Sequence, residues 1–318
     1  MAQLKNRIRN VLDESRMLVL AAQIVLGLQF RSFFESGFDK LPLITRLLKT
    51  GGLGMMLLAL GLLIAPAAYH RLVERGEDTE ELHRYASRLL EWALLPFAFG
   101  LGLDLFMAGE KILGRKWGVA AGLLAFVLAI FFWYLLEMYM RRERAPEILE
   151  AQMESRKAEA EEGGGPGGGG ASLSDKIKHV LTEARVVLPG AQALLGFQLI
   201  AVLTESFERL PDVSKYVHLA SLGFIAVTVV LLMTPAAYHR IVEQGEETEH
   251  FHRFASKMVV AALVPLALGL SGGVYVVVQK VTDSTLVAVV AALVTLALFW
   301  ELWFGITLYR RTQRDYTR

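Results

Sequence analysis

Cysteine is absent from the 318 residues. That excludes disulfides, thiolate metal sites, iron–sulfur clusters and a thiol nucleophile. Net charge is nearly absent too: 33 Lys and Arg stand against 32 Asp and Glu, giving +1 at pH 7. No global field draws in acidic partners. No basic patch interleaved with aromatics occurs, which sets nucleic-acid binding aside. Long runs of alternating hydrophobicity are missing, and with them the pattern of a transmembrane barrel. The opening, Met1–Arg16, is polar and basic, and no small-residue cleavage site follows the first apolar block, so there is no signal-peptide pattern. No nucleophile–base pair or phosphate loop stands out, so neither an enzyme nor a resident cofactor is expected.

What is present is apolar. Hydrophobic residues make up 54% of the chain, against about 45–50% in soluble domains, and mean hydropathy is +0.41. The excess falls in blocks, each near the roughly 20 residues that cross a bilayer core. They lie at Met17–Phe34, Gly51–Tyr69, Leu89–Gly109 and Trp117–Met140, then at Val186–Leu203, His218–Tyr238, Met258–Val278 and Leu286–Tyr309. About eight spans are expected. The first block of each half is the least apolar, carrying Gln23 and Gln29, then Gln192 and Gln198. Such amides are accommodated in lipid when a neighbouring helix takes their hydrogen bonds.

The halves repeat. PAAYHR occurs at Pro66–Arg71 and at Pro235–Arg240, an offset of 239 − 70 = 169 residues. At that offset Glu14 and Arg16 pair with Glu183 and Arg185, and Phe38, Leu41 and Pro42 with Phe207, Leu210 and Pro211. The expected division is a four-helix repeat over residues 1–147, a linker over 148–175 and a second repeat over 176–318. The linker is charged and then becomes GGGPGGGG at Gly163–Gly170, a flexible tract beyond a solvated stalk.

Basic residues mark the cytoplasmic side. Lys5, Arg7 and Arg9, then Arg71, Arg75, Arg84 and Arg88, then Arg141, Arg142 and Arg144 fall on one face if the spans are even in number. Arg240, Arg253, Arg310, Arg311 and Arg314 agree in the second half, whereas Arg31, Lys40, Arg46, Lys49, Arg115 and Lys116 lie on the other side. Both termini are therefore expected in the cytoplasm. Repeats with an even number of spans insert the same way up, related by a pseudo-twofold axis along the membrane normal. The fold class expected is an all-α membrane protein of two parallel-repeat four-helix transmembrane bundles. A fused dimer explains it, with matching faces meeting at the axis.

The densest agreement is Tyr69–Ser87 against Tyr238–Ser256. It reads as a helical hairpin at the interface. Pro66 kinks the first helix, Gly76 offers a left-handed stop, and Thr79 or Asp78 caps the next helix. Two readings compete. In one, Arg71, Arg84, Glu74 and Glu80 form an ion-paired clasp, with Glu14, Arg16, Glu183, Arg185, Arg240 and Arg253 as further structural pairs. In the other, His70 and His83 with Glu74 and Glu80 titrate protons or bind a cation, duplicated at His239, Glu243, Glu249 and His252. No metal motif such as HExxH is present, which leaves a metal open.

Further polar groups sit inside the apolar blocks: Asp104, Glu91, Glu137 and Glu301. Such groups are functional suspects because burying a charge in lipid is costly. Asp104 pairs with Gly273 and Glu91 with Val260 across the repeat, which argues against a shared role. The loop before the fourth helix differs in length, so Glu137 and Glu301 do not align. Trp133 and Trp300, with neighbouring aromatics, suit packing faces or an interface belt.

The stretches ESRMLVLAAQIVLGLQF and APAAYHRLVERG resemble a family of small bacterial four-helix membrane proteins of uncharacterised function. Glu14, Arg16, Gln23, Pro66, His70 and Arg71 carry the resemblance, and Glu183, Arg185, Gln192, Pro235, His239 and Arg240 carry it again. Members are sometimes labelled sodium:proton antiporters. The resemblance implies a multi-pass protein of the bacterial inner membrane. Inverted repeats, broken helices and paired mid-membrane acids, the usual marks of a secondary antiporter, are missing here. Two functions stay open: a small proton- or cation-linked transporter or channel, and a non-catalytic accessory or scaffold subunit of a larger membrane assembly.

Overall fold

The computed structural model describes residues 2–74, 77, 79–135, 173–241 and 248–316. Among these residues the fold is helical without strands. The first half contains α1 (Ala2–Ser32), the short α2 (Ser36–Asp39), α3 (Leu43–Leu72), α4 (Glu80–Leu113) and α5 (Arg115–Ile130), which runs into a π-helical turn at Phe131–Leu135. The second contains α6 (Leu173–Ala201), the short α7 (Glu205–Glu208), α8 (Asp212–Ile241), α9 (Glu249–Thr282) and α10 (Thr285–Trp300), then a π-helical turn at Glu301–Gly305 and α11 (Ile306–Tyr316). The linker expected at 148–175 lies almost wholly outside the described residues, as do Gly76, Asp78, Glu137 and Glu243.

The repeat is written into the helix ends. Adding 169 carries Ser32 to Ala201, Ser36–Asp39 to Glu205–Glu208, Leu43–Leu72 to Asp212–Ile241 and Glu80–Leu113 to Glu249–Thr282. The fourth helices need 285 − 115 = 170, so the preceding loop differs by one residue. Gly114 and Asp283, at matching positions, both have left-handed backbone, with φ of 89° and 50°. Glycine adopts that geometry freely and Asp is among the side chains that tolerate it. The extra residue is Ser284, whose Oγ accepts from the Val287 amide and caps α10. At the corrected offset Trp133 corresponds to Trp303, not to Trp300, and Glu301 corresponds to Phe131.

The interface hairpin has the expected caps. Thr79 Oγ1 accepts from the Leu82 amide at 3.1 Å, and Thr248 Oγ1 from the Phe251 amide at 3.0 Å. Pro66 does not end α3, which continues one and a half turns further to Leu72.

Among the described residues seven helices are long and apolar enough to cross a membrane, the pattern of a multi-pass membrane protein. The first apolar block follows a segment whose side chains lie outside the described residues. Among the described residues its apolar stretch within α1 covers Met17–Ser32, about 24 Å of helix. Leu286, Val290, Leu293 and Val294 on α10 are exposed, as are Leu123, Leu124 and Val127 on α5. Such branched faces on long helices suit lipid rather than water.

The chain forms two compact units, Met1–Gly100 with Ala171–Arg318, and Leu101–Gly170. The boundary does not follow the repeat. In the larger unit α1 and α6 run side by side in the same direction: Gly190 abuts Gln23 and, further along, Phe197 abuts Gly27. Val19, Ala22, Leu26 and Phe30 of α1 join Val187 and Leu194 of α6 in one continuous apolar core. Trp303 is fully buried there and donates Nε1–H to the Gly61 carbonyl at 3.0 Å. In the smaller unit a hairpin closes on glycine. A Cβ on Gly118 would stand 2.5 Å from the Glu110 amide nitrogen, and one on Gly122 would stand 2.7 Å from the Gly102 carbonyl oxygen. Backbones approach this closely only where side chains are missing.

Candidate functional site

The last turns of α3 place His70 and Arg71 inside the larger unit. Their partner is not in the same hairpin. Glu183 of α6, 2% exposed, lies with Oε1 2.6 Å from His70 Nδ1, and Arg71 Nε donates to its Oε2. One carboxylate is therefore shared by an imidazole and a guanidinium from the other repeat. Arg71 also reaches α9, where Nη1 lies 3.4 Å from His252 Nε2 and 3.4 Å from Ser256 Oγ. Arginine only donates, so the Nε2 it meets bears the lone pair, and the proton of a neutral His252 sits on Nδ1. That Nδ1 faces Glu249 Oε1 at 3.9 Å. The His179 ring, also buried, lies 5.8 Å from that of His70.

The charges close locally. Arg71 balances Glu183, and His70 donates through Nδ1. His70 Nε2 and Arg71 Nη2 are buried with no hydrogen-bond partner among the described residues. In a neutral ring that donates through Nδ1, Nε2 carries the lone pair. A buried ion pair contributes little net stability, but breaking one side of it costs about 3–5 kcal/mol. Three helices of two repeats are tied at this point.

The remaining sequence candidates are dispersed. Glu74 is buried at the end of α3. Glu80 is exposed and His83 half-buried, and neither bonds to His70 or Arg71 among the described residues. The clasp expected from Arg71, Arg84, Glu74 and Glu80 is replaced at Arg71 by Glu183, because helix packing brings α6 closer than the hairpin's own second arm. Arg84, Arg185 and Arg253 are exposed. The side chains of Glu14, Arg16, His239 and Arg240 lie outside the described residues. Gln23, Gln29 and Gln198 are buried but Gln192 is exposed, so the repeated glutamines are not equivalent. Neither amide atom of Gln23 or Gln198 hydrogen-bonds among the described residues, in place of the interhelical bonds expected. Asp104 is half-buried in the smaller unit, and Glu301 is exposed, its carboxylate folded over Gly305. Among the described residues no three of His, Asp and Glu gather to hold a metal.

Two features escaped the sequence. His179 has no repeat signal, since Asn10 stands at its matching position. A cavity of about 760 Å³ opens at the same end of α3, lined by Tyr69, Arg84, Tyr85, Arg88, Trp92 and Arg310 among others. The Arg310 guanidinium carbon stands 4.9 Å from the Tyr85 ring centre and 5.7 Å from that of Tyr69. At the other end, Lys280 Nζ of α9 lies 2.5 Å from Asp39 Oδ1, and Ser206 Oγ donates to Asp39 Oδ2 at 3.0 Å.

No curated protein and no solved structure matches the chain. One family model, described as a family of unknown function (DUF6328), matches residues 2–137 and again 172–307. The two matches fall on the two halves that share helix boundaries and meet at Glu183, and the chain belongs to this family, whose unit it carries twice.

Proposed function

We propose that this is an integral membrane protein of two parallel repeats, both termini cytoplasmic, that takes up and releases protons at the His70–Glu183–Arg71–His252 cluster as a small proton- or cation-linked transporter or channel. One observation carries the reading: a carboxylate 2% exposed, within apolar helices, is shared by an imidazole and a guanidinium of the other repeat. Ionisable groups at such positions are functional by default because their burial is costly.

The chemistry follows from the shared carboxylate. A proton arriving at His70 Nε2 converts the ring to an imidazolium and strengthens its hold on Glu183. Arg71 then loses part of its partner and turns toward Ser256 and His252. His252 accepts from Arg71 only while its Nε2 is free of a proton, so protonation there drives Arg71 back. Proton occupancy therefore shifts α3 between α6 and α9, the kind of bistable contact on which coupled transport depends.

Proteoliposomes containing a pH-sensitive dye test this. Wild-type protein should move protons under an imposed sodium, potassium or pH gradient, and Glu183→Gln and His70→Gln should abolish the movement while remaining folded. Wild-type flux equal to that of empty liposomes under every gradient overturns it.

A second reading, an accessory or scaffold subunit of a larger membrane assembly, draws on the closed packing between repeats, where Gln23 seats on Gly190 and Phe197 on Gly27. It predicts no flux, together with a stable larger complex retained through purification from native membranes.

A further inference from the structure

Outside the buried cluster, the cavity of about 760 Å³ is the strongest unassigned feature of the larger unit. Its walls come from the end of α3, the first turns of α4 and from α11. Among the described residues three guanidiniums line it, from Arg84, Arg88 and Arg310, against one carboxylate, Glu81, a balance of 3 − 1 = +2. Among the described residues none of these arginines is ion-paired. Arginine offers a planar fork of donors that matches phosphate oxygens.

The floor is aromatic. Tyr69 and Tyr85 lie 4.4 Å apart between ring centres, and Arg310 stands over both. Stacking of this kind, with a hydrogen bond from Arg310 to the Tyr69 hydroxyl, fixes the guanidinium, whose remaining N–H donors are left for a ligand. Trp92 on the rim is 72% exposed. An indole so exposed on an apolar helix sits at the headgroup level of a bilayer. A preorganised cationic site at that depth suits a phosphate whose apolar tail runs along the neighbouring helices. The second repeat has Phe254, Lys257 and Ala261 where the first has Tyr85, Arg88 and Trp92, so the chemistry belongs to one repeat.

We propose that this cavity binds a phosphate group, that of an anionic phospholipid headgroup. The proposal shares with the proton reading only that the helices lie in a bilayer. Absence of proton flux leaves it untouched.

Native mass spectrometry of the full chain in detergent tests it, with phosphatidylglycerol, phosphatidylcholine and inorganic phosphate as probes. Phosphatidylglycerol should be retained in preference to phosphatidylcholine. Arg84→Gln with Arg88→Gln, which spares the Arg310–tyrosine stack, should weaken retention roughly tenfold or more, since each cation near a membrane surface contributes appreciably. Adding Arg310→Gln should remove the preference. Arg209→Gln, an exposed arginine between α7 and α8, should change nothing. If inorganic phosphate displaces the lipid at low concentration, the phosphate moiety itself is what is bound. If phosphate binds and phosphatidylglycerol does not, the lipid assignment is overturned. Equal retention of both lipids, or wild-type retention by the folded double and triple variants, overturns the site.

Discussion

Glu183 Oε1 lies 2.6 Å from His70 Nδ1, although 113 positions separate the two residues. The contact crosses the repeats, and Arg71 shares the same carboxylate. It joins α6 to the end of α3, and through Arg71 to α9. Helices from the two halves therefore interleave in the larger unit.

Removing one partner is costly. Glu183→Ala strands Arg71 without a counter-charge and should lower stability by about 3–5 kcal/mol. Combining it with Arg71→Met should recover much of that loss, because an apolar pair of similar volume needs no desolvation. Unfolding of the single and double variants in detergent, arranged as a double-mutant cycle, measures the coupling.

The seam between α1 and α6 depends on a missing side chain. A Cβ on Gly190 would fall 1.5 Å from Gln23 Oε1 and 2.4 Å from its Cβ. Gly190→Ala should therefore destabilise by about 1–3 kcal/mol through overpacking. Gln23→Gly in the same chain, which removes the contacting Cβ as well as the amide, should relieve most of the strain. Thermal unfolding of the four species reads this out, and additive losses would remove Gln23 as the cause.

The far end of the repeats supplies a pH dependence. Burial raises the pKa of Asp39, but hydrogen bonds from Lys280 and Ser206 and the positive charges of Lys280 and Arg46 outweigh it, leaving the carboxyl below its ordinary value. A carboxyl depressed on folding stabilises the native state above its unfolded pKa, about 4. That contribution is lost as pH falls through the folded value. Water screens the half-exposed pair, so the effect is modest. Asp39→Asn should be less stable than wild type at neutral pH, and the difference should shrink as pH falls below the ordinary carboxyl range and vanish below the lowered pKa of the folded carboxyl. Melting profiles across that range check it.

The caps make a local prediction. Thr79→Ala and Thr248→Ala each remove a side-chain acceptor from the start of a long helix. Each should cost about 1 kcal/mol, whereas Thr→Ser should cost little. Hydrogen exchange at the first turns of α4 and α9 reports the fraying directly.

Helix content and duplication were legible because they are local or literal. The apolar blocks announce long helices, and PAAYHR, written twice, gives an offset that the helix boundaries obey through the end of α9. Thr79, one of the two cap candidates beside Asp78, takes that place, since a cap depends only on its own turn. The partner of His70 was not legible from spacing. Helical periodicity relates His70 to Glu74 and nothing further, whereas Glu183 arrives through the way α6 packs on α3. One clue existed: a fused dimer exchanges matching surfaces across its axis, so a polar residue opening one repeat's first helix was a candidate for the other repeat's motif. The cavity at Arg310 was hidden because its walls come from segments more than 200 positions apart, 310 − 92 = 218 at the nearest.

Cross-linking between the repeats tests the central claim most directly, and the cysteine-free chain makes it clean. Cysteines placed at Gly27 and Phe197, with a protease site in the Gly163–Gly170 tract, should oxidise to a disulfide in native membranes. After cleavage the two halves should then migrate as one band without reductant and as two with it. Separate halves under both conditions would contradict the account.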